Sequence, residues 1–421
     1  MLTARIRLIV AASAAVIVVL LLPSIFHAQG DPLERARALH RQSPMIDTHN
    51  DYPWVVRDKG GRDLARLDMR QAQPAIMTDI GRLRAGGVGG QFWSVYVPAS
   101  LQGQSAVTAT MEEIDIVHQM VKRYPDVFEL ASTADDIDRI FKAGRIASLM
   151  GMEGGHSIDS SLGALRTFYR LGARYMTLTH GKNVPWADSA TDKPEHGGLT
   201  PFGEEVVKEM NWLGMLVDLS HVSPETMEDA IRVTTAPVIF SHSSSRAVCD
   251  HARNVPDTIL QMLPKNGGVV QVTFVPDFIS QAVADHSKLQ DAETARLLTQ
   301  FPNDEAARKA GLDAWRQAHP APRATLSQVA DHIDHIRKVA GIDHIGLGAD
   351  FDGITTVVEG LEDVSKYPYL TAELLRRGYS DSDVKKIMGL NLLRVMRAAE
   401  QEAKRLQATR PASTLVMTSG H

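Results

Sequence analysis

The sequence predicts an α/β protein built on a closed (β/α)8 barrel, with a helical insertion between the seventh and eighth strands. Three observations indicate this fold: eight apolar runs of strand length recur along the 421 residues, helix-like stretches separate them, and no glycine-rich phosphate loop follows the first run. Strands that alternate with helices are typical of parallel βαβ units, and eight such units close a barrel. A doubly wound open sheet is the alternative, which the lack of a phosphate loop disfavours.

The predicted strands are short and mostly apolar, as expected for parallel strands that are buried on both faces. In chain order they are residues 45–49, 91–97, 146–150, 175–180, 215–221, 237–242, 268–274 and 344–350.

Amphipathic stretches between these runs predict helices at residues 78–87, 161–173, 200–214, 223–234 and 325–341. Glycine lies near the end of several of them, where it favours a helix C-cap, and Ser223 followed by Pro224 is a typical helix start. Residues 276–324 form one long connection with a charged helical sequence, which predicts the inserted subdomain.

The composition is that of a globular protein, with 44% hydrophobic and 23% charged residues and a formal net charge of -5. Disorder is therefore not expected, and without a basic stripe we expect no nucleic-acid partner. The single cysteine, Cys249, excludes an intrachain disulfide and is interpreted as a small core residue.

The first 30 residues form a segment of their own. Arg5 and Arg7 precede the apolar residues 8–22, as in a secretory signal, and this run is short for a membrane span. We expect either a cleaved signal or a retained anchor that associates with the membrane, with the remainder exported, on our interpretation to a bacterial periplasm. The predicted domains are residues 1–30 (signal or anchor), 31–400 (barrel) and 401–421 (a loosely ordered tail).

His49 and Asp51 follow the first apolar run in "MIDTHNDYPW". Residues two apart on a strand point to the same side, and the C-terminal ends of barrel strands carry the chemistry of this fold. The pair could bind one metal ion through a nitrogen and an oxygen. Alternatively, His49 caps a loop and Asp51 caps a helix.

Other strand ends favour the metal site. Glu153 follows the third run, His221 and His242 end the fifth and sixth, and Asp350 ends the eighth. These are too many ligands for one tetrahedral zinc, whereas two divalent ions about 3.5–4 Å apart, bridged by a carboxylate and a water, use them all. Glu153 is the predicted bridge, because a carboxylate has two oxygens to share.

The motifs "IDTHNDYPW", "GMEGGHSI", "LTHGKNVPWADSA", "LVDLSHVS", "VIFSHSSSRAV", "RNVPD" and "GLGADFDG" occur in one order over roughly residues 35–395. In this the sequence resembles the renal (membrane) dipeptidase family of zinc peptidases. The resemblance implies a metal-dependent hydrolase of the amidohydrolase-type barrels, with two Zn²⁺ per chain bridged by Glu153 and a water or hydroxide. It also implies hydrolysis of dipeptides, tolerance of a C-terminal D-residue, and a homodimer.

Residue by residue, the resemblance makes His49 and Asp51 ligands of one zinc and His221 and His242 ligands of the other. His180, in "LTHGKN", corresponds to a histidine that contacts substrate and supports catalysis. Arg253, in "RNVPD", corresponds to the arginine that binds the substrate carboxylate, and Asp350 corresponds to the acid–base residue.

Two other functions remain open from the sequence. A lactonase- or phosphotriesterase-like barrel would bridge its metals through a modified lysine, and Lys182 lies near the end of the fourth predicted strand. A non-catalytic barrel would be expected to carry a broken ligand set, whereas every ligand position is intact here.

Overall fold

A computed structural model of the protein describes residues 31–417, and the predicted signal or anchor at residues 1–30 lies outside this range. Within the described residues the strands are β1 Met45–Asn50, β2 Val88–Tyr96, β3 Phe128–Leu130, β4 Ile146–Glu153, β5 Ala173–Thr177, β6 Leu216–Asp218, β7 Ile239–Ser243, β8 Val269–Val272 and β9 Ile345–Leu347.

The α-helices of the same residues are α1 Pro32–Gln42, α2 Tyr52–Asp58, α3 Ile80–Ala85, α4 Gln104–Arg123, α5 Ala134–Lys142, α6 Leu162–Leu171, α7 Pro201–Leu213, α8 Pro224–Val233, α9 Asp257–Leu260, α10 Leu263–Asn266, α11 Pro276–Ile279, α12 Gln281–Gln300, α13 Glu305–Ala318, α14 Leu326–Val339, α15 Tyr367–Arg376, α16 Asp381–Lys385 and α17 Asn391–Thr409. A π-helical segment, Lys386–Leu390, joins α16 to α17.

The sheet is parallel and closes on itself, which confirms the predicted (β/α)8 barrel. Its strand order is β2-β1-β9-β8-β7-β6-β5-β4, and β2 pairs with β4 to complete the ring. The strands of the barrel are buried almost throughout, as their apolar sequences predict. Because all eight strands run in one direction, their C-terminal ends meet at one rim.

One strand was not predicted. The three-residue β3 pairs with the first half of β4, through Phe128 opposite Ile146, while β5 pairs with the second half of β4. It therefore lies beside the barrel and outside its ring. A run this short, with Glu129 at its centre, has no apolar periodicity from which to recognise it.

The predicted helix ends are confirmed where the caps are visible. The side chain of Ser223 accepts a hydrogen bond from the Thr226 N–H at the start of α8. Gly172 and Gly214 end α6 and α7 with φ of 117° and 79°, values that glycine adopts without strain.

The predicted insertion between the last two barrel strands is also confirmed. It consists of α11, α12 and α13, and α14 then leads into β9. Helices α12 and α13 pack on one another as a hairpin, and no residue of α13 is buried. The hairpin therefore projects from the barrel and contributes little to its core.

The C-terminal segment differs from the expected loose tail. Helix α17 continues to Thr409, with Ala399 and Ala403 buried against the barrel helices. Beyond it, the Ser413 N–H donates to Glu209 and the Ser413 carbonyl accepts from Arg166. These contacts order residues 401–417 along α6 and α7.

Candidate metal centre

Every predicted site residue lies at the C-terminal rim of the barrel. His49 is in β1, Asp51 directly follows it, and Glu153 is the last residue of β4. His242 is in β7, while His180, His221, Arg253 and Asp350 lie in the loops that follow β5, β6, β7 and β9. Far-separated parts of the chain thus meet because parallel strands end together.

Glu153 is at the centre of the group, and its two oxygens face different neighbours. Its Oε2 lies 3.5 Å from His49 Nε2. Its Oε1 lies 3.0 Å from His221 Nε2, 3.4 Å from His242 Nε2 and 3.6 Å from His180 Nε2. A carboxylate shared in this way can contribute one oxygen to each of two cations.

The carboxylate side of the centre consists of His49, Asp51 and Asp350, next to Oε2 of Glu153. His49 Nε2 lies 3.5 Å from Asp51 and 3.9 Å from Asp350. Although burial lowers the pKa of His49, the carboxylates of Glu153 and Asp51 raise it to about 10. The shift shows how strongly this side favours a positive charge on or beside the ring.

Asp350 is the most accessible residue of the carboxylate side, although only 16% of its side chain is exposed. Burial in the pocket wall raises the pKa of Asp350 to about 6, although the neighbouring His49 opposes this. Gly353 allows the close approach, because a Cβ atom there would lie 2.4 Å from Asp51 Oδ2 and 2.5 Å from Asp350 Oδ1.

The imidazole side consists of His180, His221 and His242, next to Oε1 of Glu153. Burial lowers the pKa of His221 and His242 well below the usual value, which keeps both rings neutral. Their Nε2 atoms lie 3.0 Å apart. Two lone pairs at this distance repel one another, so the pair needs either a proton or a shared cation between them.

An unpaired nitrogen on the carboxylate side also indicates a metal site. His49 Nδ1 is bonded to the Tyr175 hydroxyl at 2.8 Å, whereas His49 Nε2 is buried and has no hydrogen-bond partner among residues 31–417. A buried polar atom without a partner is costly, and a metal ion satisfies it. The described residues offer three overlapping ligand groups: His49–Glu153–His242, Glu153–His180–His221 and His49–Asp51–Asp350.

A cavity of about 490 Å³ opens over these groups. Trp54 and Tyr96 form one wall, with their rings packed edge to face, and Phe278 forms part of another. The volume is suitable for a small molecule.

Arg253 is the buried cation of this cavity, whereas Lys59 lines it from an exposed position. The residue is 4% exposed, and its guanidinium donates to the His242 carbonyl at 3.3 Å. Among residues 31–417, Asp350, Glu153 and Asp218 act on it as nearby charges and none is hydrogen-bonded to it. Burial lowers the pKa of Arg253 to about 10, so the group stays charged at neutral pH. A buried, charged and unneutralised guanidinium is suited to a carboxylate ligand.

Two further side chains near the centre have other roles. Lys182, the possible bridging lysine, has a side chain that is 64% exposed and pairs with Asp192 at 3.6 Å. It is thus directed to solvent. Asp352, which lines the same cavity, accepts a hydrogen bond from the Met77 N–H, and this bond fixes the loop before α3.

Several residues that support the centre were not predicted. Ser94 donates to Glu153 Oε2, Tyr175 bonds to His49, and Ser241 bonds to His242. The available signal was a polar residue inside an otherwise apolar strand. The sharpest example is Asp218, a fully buried carboxylate in β6.

Comparison with known proteins identifies the family. The sequence profile of the membrane dipeptidase family, peptidase family M19, matches residues 33–410. The chain belongs to this family. It is therefore a metal-dependent dipeptidase, a hydrolase of the peptide bond, as its resemblance to the family predicted.

Individual relatives agree. Dipeptidase verJ of Clonostachys rogersoniana is 42% identical over 90% of both chains, and dipeptidase 3 of Rattus norvegicus is 42% identical over 87% of this chain and 67% of its own. The crystal structure of the probable dipeptidase PvdM from Pseudomonas aeruginosa superimposes with a TM-score of 0.76 at 27% identity, over 88% of this chain and 99% of that one. Among residues 31–417, no helix combines the length and hydropathy needed to cross a bilayer.

Proposed function

We propose that the protein is a binuclear zinc dipeptidase. His49 and Asp51 hold one ion, His221 and His242 hold the other, and Glu153 bridges them. The observation that carries this proposal is the position of Glu153, whose two oxygens face different histidines at 3.0–3.5 Å. Nitrogen and carboxylate donors in such sets are those that zinc prefers.

In this proposal, zinc when bound supplies a water of lowered pKa and polarises the peptide carbonyl of the substrate. The protein's own residues then move protons and stabilise charge. Asp350, on the carboxylate side, accepts a proton from the attacking water and returns it to the leaving amine nitrogen. His180, on the imidazole side, donates a hydrogen bond to the carbonyl oxygen as negative charge develops there.

Dipeptide selectivity follows from Arg253 in this scheme. The guanidinium binds the free C-terminal carboxylate of the substrate, which fixes the distance from that carboxylate to the scissile bond. A longer peptide would place its carboxylate beyond reach or its chain against the cavity walls. Tolerance of a C-terminal D-residue is proposed from the family resemblance.

We also infer that the protein is exported and acts as a homodimer. Export is supported by the basic and apolar composition of residues 1–22, with membrane association through residues 8–22 if the segment is retained. Cell fractionation, with light scattering of the purified enzyme, tests both inferences.

The central experiment combines metal analysis with a substrate panel. Purified enzyme is analysed for zinc per chain and assayed with matched L,L- and L,D-dipeptides and one tripeptide. We expect two zinc ions per chain, turnover of both dipeptide series and no turnover of the tripeptide. Full dipeptide turnover with one ion per chain would contradict the binuclear proposal, and tripeptide cleavage would contradict the role of Arg253.

A further inference from the structure

A buried carboxylate beneath the rim has no part in the mechanism above. Asp218, the last residue of β6, is 0% exposed and accepts four hydrogen bonds. The Ser241 and Thr177 hydroxyls donate to its Oδ2 at 2.6 and 2.5 Å, and the backbone N–H groups of Ser241 and Ser220 donate to its Oδ1 at 2.8 and 3.1 Å. It does not contact the cavity.

The direction of these hydrogen bonds determines the tautomer of a rim histidine. A carboxylate only accepts, so the single hydroxyl proton of Ser241 is committed to Asp218. Ser241 Oγ also lies 2.8 Å from His242 Nδ1. It can only accept there, so His242 Nδ1 carries the ring proton. His242 Nε2 is then left with its lone pair toward Glu153 and His221.

We propose that Asp218 and Ser241 are positioning residues that fix His242 as a metal ligand, by setting both its tautomer and its ring orientation. The inference rests on the proposed function, since it concerns one of the proposed zinc ligands. A hydrogen bond to the second ring nitrogen of a ligating histidine commonly has this role.

The neighbouring His221 shows that this support is not a general property of the imidazole side. His221 Nδ1 is buried and has no hydrogen-bond partner among residues 31–417. Its φ of 68° is also an unfavourable backbone conformation for a residue other than glycine. His242 is thus oriented through its Nδ1 by Ser241 and Asp218. His221 is instead positioned through contacts of its Nε2, the nitrogen that would face the metal.

Two variants interrupt the hydrogen-bonded chain Asp218–Ser241–His242 at different points, and a third is a matched control. Ser241→Ala removes the hydroxyl that links Asp218 to His242. Asp218→Asn keeps the shape but can present an N–H to Ser241, which frees the serine proton for His242 Nδ1 and disfavours the required tautomer. Thr177→Val removes another hydroxyl bonded to the same carboxylate oxygen without touching His242.

The measurement is the affinity for each zinc ion, obtained by competition of the reconstituted enzyme with a chromophoric chelator. Ser241→Ala and Asp218→Asn are expected to weaken binding of one ion by about ten- to a hundredfold and to leave the other within about threefold. Thr177→Val is expected to leave both within about threefold. Thermal unfolding of the metal-free proteins shows whether the three variants lose comparable stability.

If zinc affinities are unchanged in Ser241→Ala or Asp218→Asn, or fall equally in Thr177→Val, the two residues only support the fold and the inference is wrong. Either of the first two variants decides the matter alone if the other does not fold. A wild-type enzyme that binds fewer than two zinc ions contradicts the proposed function instead, so the two failures are distinguishable.

Discussion

The two sides of the centre differ in charge although they share Glu153. The carboxylate side places Asp51 and Asp350 around one histidine, and the pKa of His49 is raised to about 10 there. The imidazole side has neutral rings. Burial is the main cause of the lowered pKa of His221, and the positive charge of Arg253 lowers that pKa further. Carboxylates therefore surround the histidine of one side, and a buried guanidinium lies next to the histidines of the other.

This difference allows one site both to accept a proton and to stabilise negative charge on the substrate. A proton acceptor is needed where water is activated, and a cationic environment is needed where the carbonyl oxygen and the substrate carboxylate bind. Asp350 lies 3.9 Å from His49 on the first side, and Arg253 donates to the His242 carbonyl beside the second. The different roles of the two sides can be tested by substitutions at the shared Glu153, at Asp350 and Arg253, and at a histidine outside both sides.

The largest effect is expected from Glu153→Gln, because it alters both sides at once. An amide gives one oxygen and no charge, so at most one ion should be held tightly. Loss of the metal's contributions, several kcal/mol together, predicts a fall in kcat/KM of more than about ten-thousandfold.

The control for this variant is Glu113→Gln, at a fully buried glutamate in α4 that is not part of the centre. It should retain two zinc ions and near-normal turnover. Two tightly bound ions in Glu153→Gln would show that the carboxylate is not the bridge.

The second prediction concerns the carboxylate side alone. Asp350→Asn should lower kcat by about a thousandfold, because the amide cannot accept the proton of the attacking water. Zinc content should remain two per chain, since all five proposed ligands are intact. Metal analysis and steady-state kinetics on one preparation provide the check, and near-normal kcat with full metal would remove Asp350 from the role of base.

The sequence was sufficient to predict much of this site, for a physical reason. Ligands at strand ends are specified by two facts that the sequence contains, the position of each apolar run and the residue that ends it. The rim positions of His49 and His242 therefore follow from the sequence. The place of Glu153 at the rim was predicted in the same way.

Other features depended on the three-dimensional packing. Arg253 lies in a loop, and nothing in its local sequence shows that its charge is buried without a carboxylate partner. The roles of Tyr175 and Ser241 depend on which ring nitrogen they meet across the barrel. The order of residues 401–417 depends on contacts with Arg166 and Glu209, far away in the sequence.

The third prediction tests the imidazole side. Arg253→Met should lower kcat/KM for a dipeptide by about a hundredfold, mainly through KM, because a charge-assisted hydrogen bond contributes about 1.5–3 kcal/mol. A dipeptide amide, which lacks the carboxylate, supplies the matched comparison. For the wild-type enzyme, kcat/KM should be lower by a similar factor on the amide than on the dipeptide. For Arg253→Met, the two substrates should have similar kcat/KM. Equal losses on both substrates would show that the arginine does not bind the carboxylate.

The smallest effect concerns a histidine outside both sides, His332 in α14. Its Nδ1 accepts from the Ser245 N–H and its Nε2 donates to the Ile279 carbonyl, so both nitrogens are satisfied by the protein. Burial lowers the pKa of His332 to about 4, with only a partial offset from the Ile279 bond and from Asp331.

A histidine whose pKa is lower in the folded than in the unfolded state stabilises the fold fully above the unfolded value of about 6.5, and that contribution is lost as pH falls toward 4. At pH 5.5 this loss amounts to about 1 kcal/mol from His332. Denaturant unfolding of metal-free protein at pH 7.0 and 5.5 should show a smaller pH difference for His332→Asn, whose side chain can still accept from Ser245, than for wild type. Equal differences would mean that acid acts through other groups, the unsatisfied rim histidines first among them. Because the measurement uses metal-free protein, it also separates the acid sensitivity of the scaffold from metal loss at the rim.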